Sequence, residues 1–191
     1  AGSVGIGMIV SVNASYTLDE VAAVSSGPKW FQQYMFEDRG LTKSIAERAK
    51  EEGYTALCIT VDTKGVQPKR ERNIRNKYAI NSSPNLPPLE EGFWGNISGD
   101  SLYGYGLSDP RADWNYLEWL VSNTTLPVVI KGIMTREDAQ LSVEHGARAI
   151  IVSNHGGRHL DTTFATIEVL PEIVDVVNNQ IEIYLDGGIR R

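Results

Sequence analysis

The sequence predicts an α/β protein built on a parallel sheet. Short apolar runs rich in β-branched residues alternate with longer segments of helical spacing that carry their charges on one face. The central runs are continuously hydrophobic, which is typical of parallel strands covered on both faces. This alternation of predicted strands and helices extends along most of the 191 residues. We therefore expect a single domain that spans residues 1–191.

The predicted elements follow each other in strict alternation over most of the chain. Six strands are predicted, at residues 7–12, 30–34, 56–61, 127–131, 149–153 and 182–186. Five helices are predicted, at residues 17–24, 40–52, 114–122, 135–145 and 166–178. The helix at 40–52 has the clearest pattern, because Leu41, Ile45 and Ala49 form one apolar stripe. Gly53 and Gly146 follow predicted helix ends, where glycine is a common cap.

The interval 63–111 interrupts this alternation. It contains five of the eight prolines and few apolar runs. Long loops of this kind in a compact domain are usually lids or binding loops. We expect a lid over the active-site face, and a linker between two domains is the alternative.

Composition excludes several classes of function. The net charge of −6 argues against a nucleic-acid-binding surface, and no stretch approaches the length of a membrane span. The first residues lack the basic region of a signal peptide, so an intracellular setting is expected. A single cysteine, Cys58, excludes an internal disulfide framework and a cysteine-rich zinc site, and its apolar neighbours predict burial. No metal site is predicted.

Polar or ionisable residues end nearly every predicted strand. They are Gln32, Tyr34, Thr60, Asp62, Lys131, Ser153, Asn154, His155 and Asp186. Each of them alone has an ordinary structural explanation, such as a turn cap or a surface position. Because the carboxyl ends of parallel strands form one face, five strands that all deliver such groups predict an active site there.

The segment 153–161 carries the most specific chemistry. Gly156 and Gly157 let the backbone bend sharply, while His155 and Arg158 are three residues apart. A histidine suits proton abstraction near neutral pH, and an arginine holds a carboxylate through two hydrogen bonds. The segment therefore predicts a small acidic substrate that is deprotonated.

A second glycine-rich turn, residues 186–191, directly follows the last predicted strand. Its backbone amides and arginines suit a phosphate group. Beside the histidine segment, it predicts a phosphate-bearing cofactor on the same face.

Six ordered motifs resemble one known family. They are WFQQY at 30–34, ITVDT at 59–63, KRERNIRNKY at 69–78, PVVIKG at 127–132, SNHGGR at 153–158 and LDGGIR at 185–190. The chain resembles the FMN-dependent 2-hydroxy acid oxidases and dehydrogenases, which include glycolate oxidase, lactate oxidase and the flavin domain of flavocytochrome b2. The sequence around residues 86–119 resembles the eukaryotic glycolate oxidases more than the bacterial lactate oxidases. The resemblance implies a (β/α)8 barrel of which this chain covers strands two to seven, an incomplete barrel with two open edges.

The resemblance also implies a set of cofactor contacts. Ser11, Gln32, Thr60, Lys131 and Ser153 match positions that contact the isoalloxazine ring of FMN. Asp186, Gly187, Gly188 and Arg190 match part of the phosphate-binding turn. The ammonium of Lys131 is expected to stabilise negative charge on the reduced flavin.

The catalytic assignments come from the same resemblance. His155 matches the active-site base and Asp62 the carboxylate that stabilises its imidazolium form. Arg158 and Arg70 match the two arginines that bind the substrate carboxylate, and Tyr34 matches the tyrosine whose hydroxyl contacts the substrate.

One stretch and three positions depart from the family pattern. The stretch before Arg70 is one residue longer than expected, so Lys69 is an alternative to it. Asn13 stands where glycolate oxidases usually have a tryptophan that lines the substrate pocket. Gln33 and His159 replace a usual apolar residue and a usual glutamine, and both are interpreted as tolerated changes away from catalysis.

The implied reaction is oxidation of a small L-2-hydroxy acid of the glycolate or lactate type to the 2-oxo acid. Either hydride transfer or a carbanion route fits, and oxygen or another carrier would accept the electrons. The family implies a homo-oligomer, often a tetramer, and a peroxisomal location in a eukaryote or a cytoplasmic one otherwise. Two alternatives stay open: an inactive incomplete barrel that self-associates, and a Schiff-base aldolase that uses Lys131.

Overall fold

Strands and helices alternate in the computed structural model, which describes residues 1–63, 83–86, 108–160 and 162–189. The strands are β1 (Met8–Ser11), β2 (Lys29–Gln33), β3 (Ala56–Thr60), β4 (Val128–Ile133), β5 (Ala149–Val152) and β6 (Glu182–Leu185). The helices are α1 (Leu18–Val24), α2 (Arg39–Glu51), α3 (Trp114–Asn123), α4 (Arg136–Glu144) and α5 (Thr166–Val177), with short 3-10 turns at Gly2–Val4 and His155–Gly157. All six predicted strands and all five predicted helices are confirmed, with ends that differ by one or two residues.

Polar side chains begin four of the helices. Thr17, Asp38, Asp113 and Thr135 are N-caps, and each accepts a hydrogen bond from a backbone N–H of the first turn. Such caps satisfy donors that the helix itself leaves without partners. Within the described ranges, no helix combines the length and apolar character that a membrane crossing needs.

The six strands form one sheet whose spatial order is the same as their order in the chain. Every neighbouring pair is parallel. Because the order never reverses and parallel crossovers share one hand, the connecting helices all lie on one face of the sheet. A doubly wound sheet, in contrast, reverses its order and has helices on both faces.

The two faces of the sheet have different packing. The outer face packs against the helices and forms the main core with residues such as Leu57, Ile130 and Ile150. The inner face has a separate cluster, made of Ala56, Cys58, Val129, Ala149 and Ile151 with Trp30 packed against it. The predicted burial of Cys58 is confirmed, and burial raises the pKa of its thiol to about 12. Cys58 therefore acts as a small apolar residue.

One aromatic contact shows that the sheet curls around its inner face. The rings of Trp30 in β2 and Tyr184 in β6 lie 5.1 Å apart, centroid to centroid, in an edge-to-face arrangement. In a flat sheet these strands would be four spacings apart, which is roughly 19 Å. Only strong curvature brings the two rings together. Six parallel strands in sequence order, curled with their helices outside, confirm the predicted incomplete (β/α)8 barrel.

The interval 63–111 is described only at its ends and at residues 83–86. Ser83 donates a hydrogen bond to the Val12 carbonyl at 2.6 Å. Asn85 is buried, accepts from the Leu18 N–H at 2.7 Å and donates to the Tyr16 carbonyl at 3.1 Å. This part of the interval therefore docks on the loop that follows β1.

Candidate active site

Strand register directs a row of polar residues to the inner face of the barrel. Gln32 is in register with both Ser11 and Cys58, and Thr60 is in register with Lys131. Cys58 belongs to the inner cluster, and Thr60 follows it by two residues. Because side chains alternate along a strand, all four polar residues lie on the inner face. They also stand at or near the carboxyl ends of their strands.

Hydrogen bonds join three of these side chains into a row across β1, β2 and β3. The Ser11 hydroxyl donates to Gln32 Oε1 at 2.9 Å, and Gln32 Nε2 donates to the Thr60 hydroxyl at 2.9 Å. Gln32 and Thr60 are buried. The shared bonds fix the orientation of the Gln32 amide and leave its second N–H and the Thr60 O–H as donors. The row suits a flat, polar heterocycle with carbonyl and ring nitrogen acceptors.

Lys131 places a fixed ammonium beside this row. Its Nζ donates to the Ser153 hydroxyl at 3.1 Å and lies 3.6 Å from an Asp186 carboxylate oxygen. Ser153 is fully buried and also accepts from the His155 backbone N–H at 3.2 Å. The other Asp186 oxygen, Oδ1, is buried and has no hydrogen-bond partner within the described part of the chain. An orphaned buried acceptor next to an ammonium is a feature that a bound polar group would satisfy.

His155 and Asp62 form a hydrogen-bonded pair 93 residues apart in the sequence. His155 Nδ1 lies 2.9 Å from Asp62 Oδ1, and both side chains are only 13% exposed. A carboxylate can only accept, so Nδ1 carries the proton of this bond. The lone pair of the neutral ring is then on Nε2, which is free to take a proton. This is the arrangement that a general base requires.

The backbone at His155 is left-handed. His155 has φ 55°, and Gly156 and Gly157 follow with φ 64° and 65°. The Asn154 side chain stabilises this turn by accepting from the Gly157 N–H at 3.2 Å. A left-handed conformation costs a non-glycine residue roughly 1–2 kcal/mol. The predicted sharp bend is confirmed, and it orients the His155 ring toward β3.

Gly132 makes room for Asp62. A Cβ atom added at Gly132 would lie 2.6 Å from the Asp62 Cβ, and the Gly132 φ is 112°. Any side chain at Gly132 would therefore displace Asp62 or strain β4. The register of β4 with β5 shifts between Lys131 and Ile133, so Gly132 is also the site of a bulge. β4 continues two residues beyond its predicted end because the bulge does not terminate pairing.

The glycine-rich segment predicted to turn after the last strand does bend directly after β6. Gly187 and Gly188 have φ 91° and 75°, and the Asp186 carbonyl accepts from the Thr166 hydroxyl at 2.7 Å. Gly187 and Gly188 are exposed. Arg190 lies outside the described residues.

The structure brings most of the predicted site residues to one face. Tyr34 is buried directly after β2, and Arg158 is exposed at the end of the His155–Gly157 turn. Arg70 and its alternative Lys69 lie outside the described residues. The residues joined by the contacts above are Ser11, Gln32, Thr60, Lys131, Ser153, Asp186, His155 and Asp62.

His159, interpreted from sequence as a tolerated change, lies against the hydrogen-bonded pair of His155 and Asp62. Its ring centroid is 4.0 Å from that of His155 at an interplanar angle of 81°, and His159 is 8% exposed. The donor and acceptor atoms of Asp62, His155 and His159 all lie within 4.8 Å of one another. Burial, followed by the charge of His155, lowers the pKa of His159 to about 4. The contact was not predicted from the sequence, because a four-residue spacing indicates proximity only on an α-helix, and this segment is a 3-10 turn with left-handed residues.

The sequence model described as FMN-dependent dehydrogenase matches residues 1–191. The chain belongs to this family. L-lactate oxidase from Nostoc sp. is 45% identical over 201 aligned residues, which cover 100% of this chain and 55% of that protein. Glycolate oxidase 3 from Arabidopsis thaliana is 40% identical, over 96% of this chain and 51% of its own length. The chain thus spans about half the length of the curated relatives it matches.

Solved structures agree with this assignment. A mandelate oxidase variant with benzaldehyde superposes with a TM-score of 0.79 at 35% identity, covering 100% of this chain and 51% of that one. A second mandelate oxidase structure, with the monooxide FMN adduct, gives a TM-score of 0.76 at 33% identity and covers 100% and 50% of the two chains. The fold and the family inferred from the sequence motifs are both confirmed.

Proposed function

We propose that this protein oxidises a small L-2-hydroxy acid to the corresponding 2-oxo acid, with FMN as cofactor and oxygen as the electron acceptor. The observation that carries the proposal is the His155–Asp62 hydrogen bond at 2.9 Å, on the same inner face as the Lys131 ammonium. A base and a fixed cation on one face suit a reaction that removes a proton and builds negative charge beside it.

His155 Nε2 is the proposed proton acceptor. Asp62 holds the Nδ1–H and stabilises the imidazolium that forms when Nε2 takes a proton. The low exposure of both side chains strengthens this charge interaction, because little water competes with it. The substrate loses two protons and two electrons from its C2–H and O–H groups, and oxygen that receives them becomes hydrogen peroxide.

The residues around Lys131 fit FMN. The row of Ser11, Gln32 and Thr60 would contact the ring system, and Ser153 would hold Lys131 against it. FMN, when bound, supplies the two-electron acceptor for the substrate. The phosphate would bind at the turn after β6, through the amides of Gly187 and Gly188 and the side chain of Arg190, with Asp186 as the preceding anchor.

The substrate carboxylate would be held by Arg158 and Arg70, each of which offers a pair of parallel N–H donors. Tyr34 would contribute its hydroxyl to the same substrate. These roles rest on the family motifs and on the place of Tyr34 and Arg158 at the carboxyl end of β2 and after β5. The glycolate and lactate types are both candidates, since relatives named for each match at 40% and 45% identity.

The interval 63–111 is the proposed lid of a single domain that spans residues 1–191. Support comes from Ser83 and Asn85, which hydrogen-bond to the loop after β1, at the carboxyl end of the barrel. A lid there would exclude water from the reacting groups.

We also propose that the protein forms homo-oligomers, in a peroxisome if its source is eukaryotic and in the cytoplasm otherwise. The basis is the family resemblance alone. Sedimentation analysis of the purified protein would measure the number of copies, and a monomer at all concentrations would contradict the oligomer.

The aldolase alternative is not favoured. A Schiff-base lysine must reach its neutral form to attack a carbonyl. Lys131 instead donates to the Ser153 hydroxyl at 3.1 Å and lies 3.6 Å from the Asp186 carboxylate, so its nitrogen is already engaged by two polar side chains.

The test is reduction of bound flavin. The protein is reconstituted with FMN, and glycolate or L-lactate is added without oxygen; the flavin absorption is expected to bleach. In His155→Gln the flavin should remain bound, and bleaching should slow by at least about 100-fold. His145→Gln is the matched control, since His145 contacts Glu118 and Trp114 instead of the site. A colourless preparation that does not take up FMN, or wild-type bleaching by His155→Gln, would overturn the proposal.

A further inference from the structure

His159 completes a three-residue contact around the proposed base. The His155 ring is hydrogen-bonded by Asp62 on one side and packed by the His159 ring at 4.0 Å on another. The two partners come from different parts of the chain, one directly after β3 and the other four residues after His155. His159 is 8% exposed, so its own position is restricted by packing.

We propose that His159 is a positioning residue that fixes the plane of the His155 imidazole through edge-to-face packing. The importance of this plane rests on the proposed function, in which His155 Nε2 takes the substrate proton. His159 itself is not expected to touch the substrate.

A single hydrogen bond does not fix an imidazole ring. The second side-chain torsion of histidine has a broad energy profile, so the ring can tilt about the Cβ–Cγ bond within the angular tolerance of its hydrogen bond to Asp62. Such a tilt keeps the hydrogen bond and moves Nε2 within the site. A second ring packed at 81° limits that tilt. Edge-to-face aromatic pairs contribute about 0.5–1.5 kcal/mol beyond the area that they bury.

The charges around His159 favour its neutral form. Asp62 attracts a proton to it, whereas His155, Arg158 and Lys131 oppose one, and burial opposes it most. A neutral ring beside His155 does not repel the imidazolium that forms there. The donor and acceptor atoms of Asp62, His155 and His159 lie within 4.8 Å of one another. The positive charges of Lys131 and Arg158 nevertheless disfavour a divalent metal ion between these three side chains.

The experiment separates ring packing from polarity at position 159. His159→Phe keeps a ring, and His159→Asn keeps a polar group without one. If packing positions His155, the Phe variant should retain most of the wild-type rate of flavin reduction. The Asn variant should lose about 10- to 100-fold in kcat, with KM changed less than about twofold. Urea unfolding of both variants establishes that they are folded at the assay temperature.

A second readout needs no cofactor and no turnover. The chain has three histidines, so ¹⁵N spectra of the imidazole nitrogens can be assigned with His145→Gln and His155→Gln. Asp62 accepts the Nδ1 proton in every variant at position 159, so the tautomer of His155 should not change. The order of the ring should change: wild type and His159→Phe should show sharp His155 ring signals, whereas His159→Asn should show signals broadened by ring motion. This measurement tests positioning even if no hydroxy acid is oxidised.

Two results would overturn the proposal. One is equally sharp His155 ring signals in wild type, His159→Phe and His159→Asn. The other is loss of activity in His159→Phe together with full activity in His159→Asn, which would assign a polar role to His159. His145→Gln should match the wild type in every measurement, since it removes a histidine that does not contact His155.

Discussion

At the scale of single residues, the proposed chemistry depends on which nitrogen of His155 carries a proton. Asp62 Oδ1 accepts from Nδ1, and its second oxygen, Oδ2, is buried with no hydrogen-bond partner within the described ranges. A group that can only accept therefore controls the tautomer of the ring. This control distinguishes Asp62 from an aspartate that merely caps a turn.

Replacement of Asp62 by Asn tests this control. An amide can donate to Nδ1, which would move the ring proton to Nε2 and remove the lone pair that the reaction needs. We expect the rate of flavin reduction to fall by about 10²- to 10⁴-fold with FMN still bound. Asp109→Asn is the control, because Asp109 pairs with Arg111 away from the site. A rate in Asp62→Asn within about threefold of wild type would refute this role for the carboxylate.

His159 makes the stability of the protein depend on pH. Its pKa is about 4 in the folded protein, lowered by burial and by the charge of His155, against an ordinary value of 6.5. Between these values the unfolded chain binds a proton that the folded chain does not, so stability is lost as the pH falls from 6.5 to 4. The loss from this residue approaches about 3 kcal/mol.

Urea unfolding at pH 7 and at pH 4 measures this loss. His159→Phe should lose less free energy of unfolding between the two pH values than the wild type, by up to about 3 kcal/mol. Carboxylates that titrate in this range act in both proteins and cancel in the difference. Equal pH dependence in the two proteins would mean that His159 is not held neutral by the fold.

At the scale of elements, β3 and β4 are linked through the contact between Asp62 and Gly132. The Gly132 bulge opens space for Asp62, while the residue before it, Lys131, still points to the inner face. One irregularity in β4 therefore allows the carboxylate that follows β3 and an ammonium from β4 to occupy the same site. A regular strand with any other residue at 132 would not accommodate both.

Gly132→Ala and Gly53→Ala form a matched pair. Both glycines have positive φ, 112° and 76°, but a Cβ at Gly53 would meet no atom within 4 Å. Each change should lower the free energy of unfolding by about 1–2 kcal/mol because of the backbone conformation. Only Gly132→Ala should also disturb the Asp62–His155 hydrogen bond, seen as averaged His155 tautomers in ¹⁵N spectra. An unperturbed His155 signal in Gly132→Ala would show that Asp62 does not depend on this space.

At the scale of the whole molecule, curvature of the sheet assembles the site. Trp30 and Tyr184, four strands apart, are in contact across the inner face. The polar row of β1–β3 and the ammonium of β4 consequently face the groups that follow β5 and β6. A ligand bound there would contact most of the strands at once, so its binding should stabilise the whole fold.

FMN should therefore raise the free energy of unfolding. At a free concentration of 100 times its Kd, the increase expected from linkage is about 2.7 kcal/mol. Lys131→Met should weaken this effect, whereas Lys43→Met, which changes an exposed lysine on α2 paired with Glu47, should not. Thermal unfolding with and without FMN measures both. If FMN stabilised Lys131→Met as much as it stabilises the wild type, Lys131 would not belong to the cofactor site.

The sequence by itself determined the alternation of strands and helices, the parallel sheet and the face on which the polar residues gather. Residues such as Thr60 and Lys131 were predictable because a period of two and the end of an apolar run specify both the side and the end of a strand. The family motifs added the pairing of His155 with Asp62. Only the tertiary structure decided that His159 packs on His155, that Gly132 makes room for Asp62 and that Trp30 reaches Tyr184. The physical reason is that local patterns encode direction and burial, whereas distances between remote residues depend on how the strands stack, bulge and curl.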